Sequence, residues 1–339
     1  MYSQYAMPSP GYLPLNSYTA SYLVSSYPAL GALIVPVLTP VTYAATARTL
    51  PTSAAWHDVA YGNGVFVAIA NGSTAAATSP DGITWTARTL PSSQSWRTVA
   101  FGNGVFVAVA SGPTTTAATS PDGITWTART MPSSSDWFGV TYGNGVFVAV
   151  SLTNGTTAAT SPDGITWTAR TLPATTQWSS VSYGNGVFVA VSQSASNAAV
   201  SPDGINWTSS STPFSGALRV CYGNGIFIAF TSLTSTNAVT SPDGITWTTR
   251  TMPSSQLWYD VAYGNNSFVA IAALTTAAAT SPDGITWTAR TLPSSSTWYG
   301  IAFGSSNFAI VSNTTGTTAA TIDYAVNATY FYLPVVAPK

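Results

Sequence analysis

One phrase, Ser79-Pro80-Asp81-Gly82-Ile83-Thr84-Trp85-Thr86-Ala87-Arg88-Thr89-Leu90-Pro91, returns along the chain and constrains its fold more than any other feature. Its Ser-Pro-Asp-Gly-Ile core starts at Ser79, Ser120, Ser161, Ser201, Ser241 and Ser281, in steps of 41, 41, 40, 40 and 40 residues. That period is typical of propeller blades, in which each repeat is one small sheet that buries its faces against its neighbours. The 339 residues are therefore read as one repeat body with tails, not as two average domains.

A unit read from Trp56 contains four short strands: one through Val59-Ala60-Tyr61, one from Val65 to Ala70, one through Ala75 to Thr78, and one from Ile83 to Thr89. Asn63-Gly64 joins the first two as a hairpin, and Pro80-Asp81-Gly82 joins the last two. The second strand is apolar at both alternating sets, so both of its faces need cover from stacked units. In the fourth, Ile83, Trp85 and Ala87 alternate with Thr84, Thr86 and Arg88, which reads as an outer strand with one face on a neighbour. The recurring Arg guards that edge against sheet-to-sheet pairing.

The first-strand phrase occurs seven times, near Val59, Val99, Val140, Val181, Val220, Val261 and Ile301, and the fourth-strand phrase also seven times, starting with a half-unit at Tyr43. The sequence thus predicts an all-β, seven-bladed β-propeller of four-stranded blades over residues 42–322, its last blade completed and the ring closed by the N-terminal strand 43–50. At that junction Ile322-Asp323-Tyr324 replaces the box and Ala45 replaces the Trp, so an extended arm, residues 1–41, and a C-terminal tail, residues 323–339, leave side by side.

Charge is scarce: nine Lys or Arg, ten Asp, no Glu, net charge −1. That balance gives no electrostatic footprint for nucleic acid. A zinc site or a His-based triad is unsupported with one histidine, His57, and no cofactor or metal is expected. Cys221 is the only cysteine and reads as a small buried hydrophobe. A signal peptide needs a basic start, whereas the first basic residue is Arg48; a spanning helix conflicts with the prolines between Tyr22 and Val41. No membrane insertion is expected. The uncharged arm and the aromatic tail are read as one composite anchor, docking on other proteins through Tyr22, Leu30, Ile34, Tyr330, Phe331 and Tyr332.

The repeated Ser-Pro-Asp-Gly-Ile-Thr-Trp resembles the Asp-box of sialidase-type propellers, shortened by one residue between Asp and Gly. The resemblance implies a turn held by Asp81, Asp122, Asp163, Asp203, Asp243 and Asp283, with Trp85, Trp126, Trp167, Trp207, Trp247 and Trp287 packing back on the blade. It does not bring sialidase chemistry. That needs convergent arginines, a Tyr activated by a Glu, and an acidic proton donor, whereas Arg48, Arg88, Arg129, Arg170, Arg250 and Arg290 occupy one equivalent, outward place. The near-identical, Glu-free units and uncharged arm also resemble repeat propellers of tailed-phage virions, a likeness that implies a virion component docked by its termini to other virion proteins.

Positions that vary between copies fall in the loops after the second strand and before the first, on one face. There lie His57, Asp58, Arg97, Asp136, Arg219 and Asp260, beside a ring of Trp56, Trp96, Trp137, Trp178, Trp258 and Trp298, with Leu218 filling the ring's place in the fifth unit. The tryptophans are either sugar platforms or wedges between blades. The expected function is a non-enzymatic structural protein of a phage virion that presents this face outward, in tail or fibre adsorption or head decoration, with a host glycan as an optional ligand. The alternative is a soluble carbohydrate-binding lectin.

Overall fold

Each repeat is set by its tight turns. In the first hairpin Asn63 and Gly64 both have positive φ, 49° and 78°, the pair of values a type I′ turn requires, and Asn103, Asn144, Asn185 and Asn224 repeat it before their glycines. The computed structural model of the protein describes residues 33–38, 42–325 and 328–333; all its regular elements are β-strands. Residues 43–324 form one compact unit. In a second, Leu33–Leu38 pairs antiparallel with Ala328–Leu333, Leu33 opposite Leu333 and Leu38 opposite Ala328. Tyr22 and Leu30 lie outside the described residues; Ile34 and Tyr332 face each other in this ladder.

Within residues 43–324 the sheets follow the expected four-strand meander. Trp137–Gly143, Val146–Ser151, Gly155–Ser161 and Thr168–Thr176 lie in that order, antiparallel throughout. Elsewhere adjoining strands run together: Thr86–Gly102 serves as the fourth strand of one unit and the first of the next. Thr42–Gly62 lies beside Gly316–Ala325, joining the two ends of this body in one sheet. There Arg48 Nε donates to Thr321 Oγ1 at 2.9 Å, repeating the bond from Arg88 to Thr78 at 3.0 Å.

The second strands are buried on both faces, as their unbroken apolar runs require: Phe147, Val148, Ala149 and Val150 are all 0% exposed. The cores lie between successive units, not within one. Val148 and Val150 pack with Trp178, Val181 and Phe188 of the next unit, and Ala309, Val311 and Ala319 pack with Leu50, Trp56 and Phe66. Two side-chain devices lock neighbours together. The glycine ending each first strand lies under the next unit's aromatic ring, Gly143 under Tyr183, Gly184 under Tyr222, and Gly304 under Tyr61. The turn Asn of one unit also donates to a Pro carbonyl in the next, as Asn144 Nδ2 does to Pro202 O at 3.2 Å.

The Ser-Pro-Asp-Gly turn is a closed hydrogen-bond set. Asp163 Oδ1 accepts from Ser161 Oγ at 3.0 Å and from the N–H of Ile165 and Thr166 at 2.9 and 3.0 Å, while Trp167 Nε1 donates to Gly164 O at 3.0 Å. Gly164 has φ 74°, a conformation an L side chain resists. The Thr166 and Ile165 N–H groups hold the Asp163 carboxyl below the usual carboxylate range. The expected fourth-strand alternation needs correcting here. Because the turn runs on past Ile83 and Thr84, the strand starts at Thr86, and Ile83 is 41% exposed instead of facing a neighbour.

Adding a methyl group beneath Tyr183 tests the lock between units. Gly143→Ala should lower stability by roughly 1–3 kcal/mol, because the new Cβ would overlap the Tyr183 ring and displace it from its contact with Phe188. Gly155→Ala, whose new Cβ would meet nothing closer than 3.7 Å, should be nearly neutral. Denaturant melts of the two variants make the comparison.

Candidate functional site

The variable positions meet at the first strands, through a repeated irregularity. Every first strand carries a β-bulge two residues wide, between Trp56 and Asp58, Trp96 and Thr98, Trp137 and Gly139, Trp178 and Ser180, Ala217 and Arg219, Trp258 and Asp260, and Trp298 and Gly300. A bulge leaves its extra residue out of the ladder and re-aims its side chain. The freed residues are His57, Arg97, Phe138, Ser179, Leu218, Tyr259 and Tyr299. The bulge register also shows that Ala217, not Leu218, occupies the tryptophan position in the fifth unit.

Residues far apart in sequence converge there. Arg97 Nη1 lies 2.6 Å from His57 Nε2, Nη2 donates to the Tyr259 hydroxyl at 2.9 Å, and its guanidinium carbon sits 3.6 Å from the Phe138 ring centroid. Tyr259 stacks on Tyr299 at 3.7 Å between centroids and 4° between planes, and His57 meets Tyr299 edge-on at 5.2 Å. Arg219 places its guanidinium carbon 5.8 Å from the Tyr259 centroid. Stacking on aromatic faces suits a weakly hydrated guanidinium taken out of water.

The two carboxylates have another task. Asp58 Oδ1 accepts from Val59 N–H and Oδ2 from Val99 N–H of the next unit, both at 2.9 Å. Asp260 does the same with Val261 at 2.9 Å and Ile301 at 3.2 Å, and Ser180 Oγ accepts from Val220 N–H at 3.2 Å in the equivalent place. These residues tie neighbouring first strands together. Burial raises the Asp58 carboxyl above its ordinary value and pushes Asp260 up to about 7 against the pull of Arg219. Burial, with Arg97 and Arg219 nearby, holds His57 well below its usual value, so it is neutral. Burial also raises the Cys221 thiol to about 12, which leaves it unreactive and in keeping with a packing role.

The structure therefore brings His57, Asp58, Arg97 and Asp260 together and leaves Asp136 apart, where its Oδ1 accepts from Gly112 N–H of a preceding loop at 2.8 Å. The tryptophan ring needs correcting as a candidate binding surface: Trp56, Trp96, Trp137, Trp178, Trp258 and Trp298 are 0–1% exposed, so no sugar reaches their faces. Each indole N–H is spent on a carbonyl four residues earlier, Trp178 on Ala174 at 3.2 Å for example. Phe138, Tyr259 and Tyr299 escaped the sequence reading because only the charged variable positions were singled out; the place after each tryptophan was itself the signal. Among the described residues no three of His, Cys, Asp or Glu come together in a way that could hold a metal ion, and no helix is long and apolar enough to cross a membrane.

Stacked four-stranded antiparallel sheets with their cores between them define a β-propeller, and solved propellers are similar to this chain. Virginiamycin B lyase from Staphylococcus aureus matches with a TM-score of 0.75 at 11% identity, over 84% of this chain and 100% of the other. YCF48 bound to D1 peptide matches with a TM-score of 0.65 at 19% identity, over 88% and 100%, and YCF48 from Cyanidioschyzon merolae with 0.64 at 15%, over 83% and 98%. No family model matches the sequence, and no curated protein does. At these identities the likeness shows the fold. It also corrects the expectation of a chain without catalytic activity: virginiamycin B lyase is an enzyme on a propeller, so the missing Glu, the single His57 and the outward arginines are no ground for excluding catalysis.

The buried titrating pair makes a pH test. Between about pH 4 and 7 the folded protein holds a proton on Asp260 that the unfolded chain has lost, and just below about pH 6.5 His57 is neutral in the fold while the unfolded imidazole is protonated. Asp260 thus makes stability fall as pH rises through this window, and His57 makes it rise; the slopes oppose, each at most about 1.4 kcal/mol per pH unit. Asp260→Asn should lose more stability than the parent on acidification from about pH 7.5 to 4.5, and His57→Gln less, read as the change in Tm.

Proposed function

We propose that the protein is a structural component of a tailed-phage virion, a seven-bladed propeller of the Asp-box kind that docks through its terminal segments and presents the face carrying the variable residues, in tail or fibre adsorption or as head decoration. The observation that carries this reading is the pairing of Leu33–Leu38 with Ala328–Leu333. A two-stranded sheet is marginal by itself, and among the described residues each strand has an unpaired outer edge, so strand addition by a partner chain would complete it. YCF48, similar in fold, is a propeller solved with a peptide bound, a precedent for protein docking on this architecture.

Ring closure by residues 43–50 is part of the proposal. It is supported by the sheet neighbourhood of Thr42–Gly62 and Gly316–Ala325, by the Arg48 to Thr321 bond, and by Gly304 lying under Tyr61 as every other such glycine lies under the next ring. Removal of residues 1–40 should leave cooperative unfolding intact, and removal of 1–51 should abolish it, as followed by calorimetry. In purified particles the full chain should be found by mass spectrometry, and the chain lacking residues 1–40 should fold but fail to be incorporated. Absence of the full chain from particles, or incorporation of the shortened one, would sink the docking reading.

A further inference from the structure

The two-stranded terminal sheet contains one proline, and its place decides which edge a partner can use. Leu33–Leu38 and Ala328–Leu333 are antiparallel, with Pro36 opposite Tyr330. In an antiparallel pair the opposed residues alternate: one pair exchanges both N–H···O bonds across the ladder, and the next turns its N–H and C=O groups outward. Proline has no N–H, and in a sheet it sits where that group would face away from the partner strand. Pro36 and Tyr330 are therefore an outward-turned pair, and so, two residues to either side, are Ile34 with Tyr332 and Leu38 with Ala328. The inward bonds fall to Leu33 with Leu333, Val35 with Phe331 and Val37 with Thr329.

The two edges that result are unequal. Along Leu33–Leu38 the middle outward residue is the proline, which offers an acceptor and no donor and so blunts that edge. Along Ala328–Leu333 each outward residue, Ala328, Tyr330 and Tyr332, has both groups, and among the described residues no strand pairs with them. This edge is also self-complementary. Turned about a twofold axis at Tyr330, a second copy of the strand sets Ala328 opposite Tyr332, Tyr330 opposite Tyr330 and Tyr332 opposite Ala328, so every outward residue of both chains exchanges bonds. An axis at Phe331 would instead set Ala328 opposite Pro334, which has no N–H to give. Neither strand carries a charge, so two copies meet without repulsion. Leu33, Val35 and Val37 share one face with Phe331 and Leu333, and a second copy doubles that apolar face. Three or more strands with such a face reach the stability that two lack.

We propose that the chain forms a twofold dimer through the outer edge of Ala328–Leu333, a four-stranded sheet with the two Pro36 edges outermost. Because those edges are blunted, addition stops at two copies and does not run on into a fibre. A contact between two six-residue strands is smaller than the roughly 1,200–2,000 Å2 of a standard interface, so the dimer should come apart on dilution through the micromolar range. The inference rests on the docking reading of the terminal sheet and names its partner as a second copy, but particles test the one and the free chain in solution tests the other.

Sedimentation of the full chain at rising concentration should show a monomer–dimer equilibrium and no larger species. Tyr330→Pro removes the central donors of the new ladder and leaves the bonds to Leu33–Leu38 in place, so it should weaken dimerisation at least about tenfold. Ile34→Pro, the same change on the blunted edge, should leave it unaltered. Tyr330→Cys should give a disulfide-linked dimer on mild oxidation, because a bonded antiparallel pair sets its Cα atoms about 5.5 Å apart, within disulfide range. Ile34→Cys should not. A monomer at every concentration, the outcome if residues 1–32 or another protein cover the edge, would overturn the proposal. So would open-ended oligomers, equal loss of association in the two proline variants, or a cross-link through Ile34→Cys and none through Tyr330→Cys. The cross-links decide the matter even if a proline variant misfolds.

Discussion

The contact between one unit's glycine and the next unit's ring, with the doubly buried second strands beside it, is what the rest of the structure depends on. A unit alone would leave both faces of a strand such as Phe147 to Val150 in water, at about 25 cal/mol per Å2 of apolar surface. Cores that exist only between neighbours make each repeat conditional on the next. They also explain why the copied positions are copied: a change at Gly143, Tyr183 or Val148 is felt on two sheets at once.

Among the positions that vary between copies are the two after each tryptophan, the bulged residue and the one that rejoins the ladder. There the chain tolerates what a propeller core otherwise excludes: two guanidinium groups, two carboxyls and an imidazole, with His57, Asp58 and Arg219 buried and Arg97 and Asp260 half-buried. Burial of charge is costly unless it is compensated, and the compensation is unequal. The carboxylates are met by backbone N–H groups of the first strands, and Ser180 accepts from one in the equivalent place, so Asp58, Ser180 and Asp260 join adjacent strands in the same manner despite their different chemistry. The guanidinium groups rest on aromatic faces instead.

Much of the fold was legible because it rests on local signals: the period, the Asn-Gly turns, the Asp that holds the second turn, and the doubly apolar strand. The site was legible only in part. His57, Asp58, Arg97 and Asp260 stood out as rare charges in a nearly uncharged chain, but their convergence depends on bulges that strand alternation does not announce. The same bulges hid the alignment of Ala217 with the tryptophans, and Phe138, Tyr259 and Tyr299 went unmarked beside the rarer charges. The tryptophan ring was ambiguous because indole serves equally as a platform and as a wedge; burial decided it, not residue type.

Near-identity between repeats creates a hazard of wrong partnership, since any fourth strand carrying the Thr-Ala-Arg-Thr phrase would fit any third strand almost as well. Most arginines of the series reach only a threonine, as Arg170 does Thr160. Among the described residues Arg48 alone also has an acid, Asp323, at 3.6 Å, because no Ser-Pro-Asp-Gly turn follows Thr321 and the strand runs on to that residue. An exposed pair of this kind is worth up to about 1 kcal/mol. In total stability that is minor, but as a preference among near-degenerate matches it is about fivefold. The ion pair thus works as an address, directing the one strand that must find a partner some 270 residues away to the only slot that answers its charge.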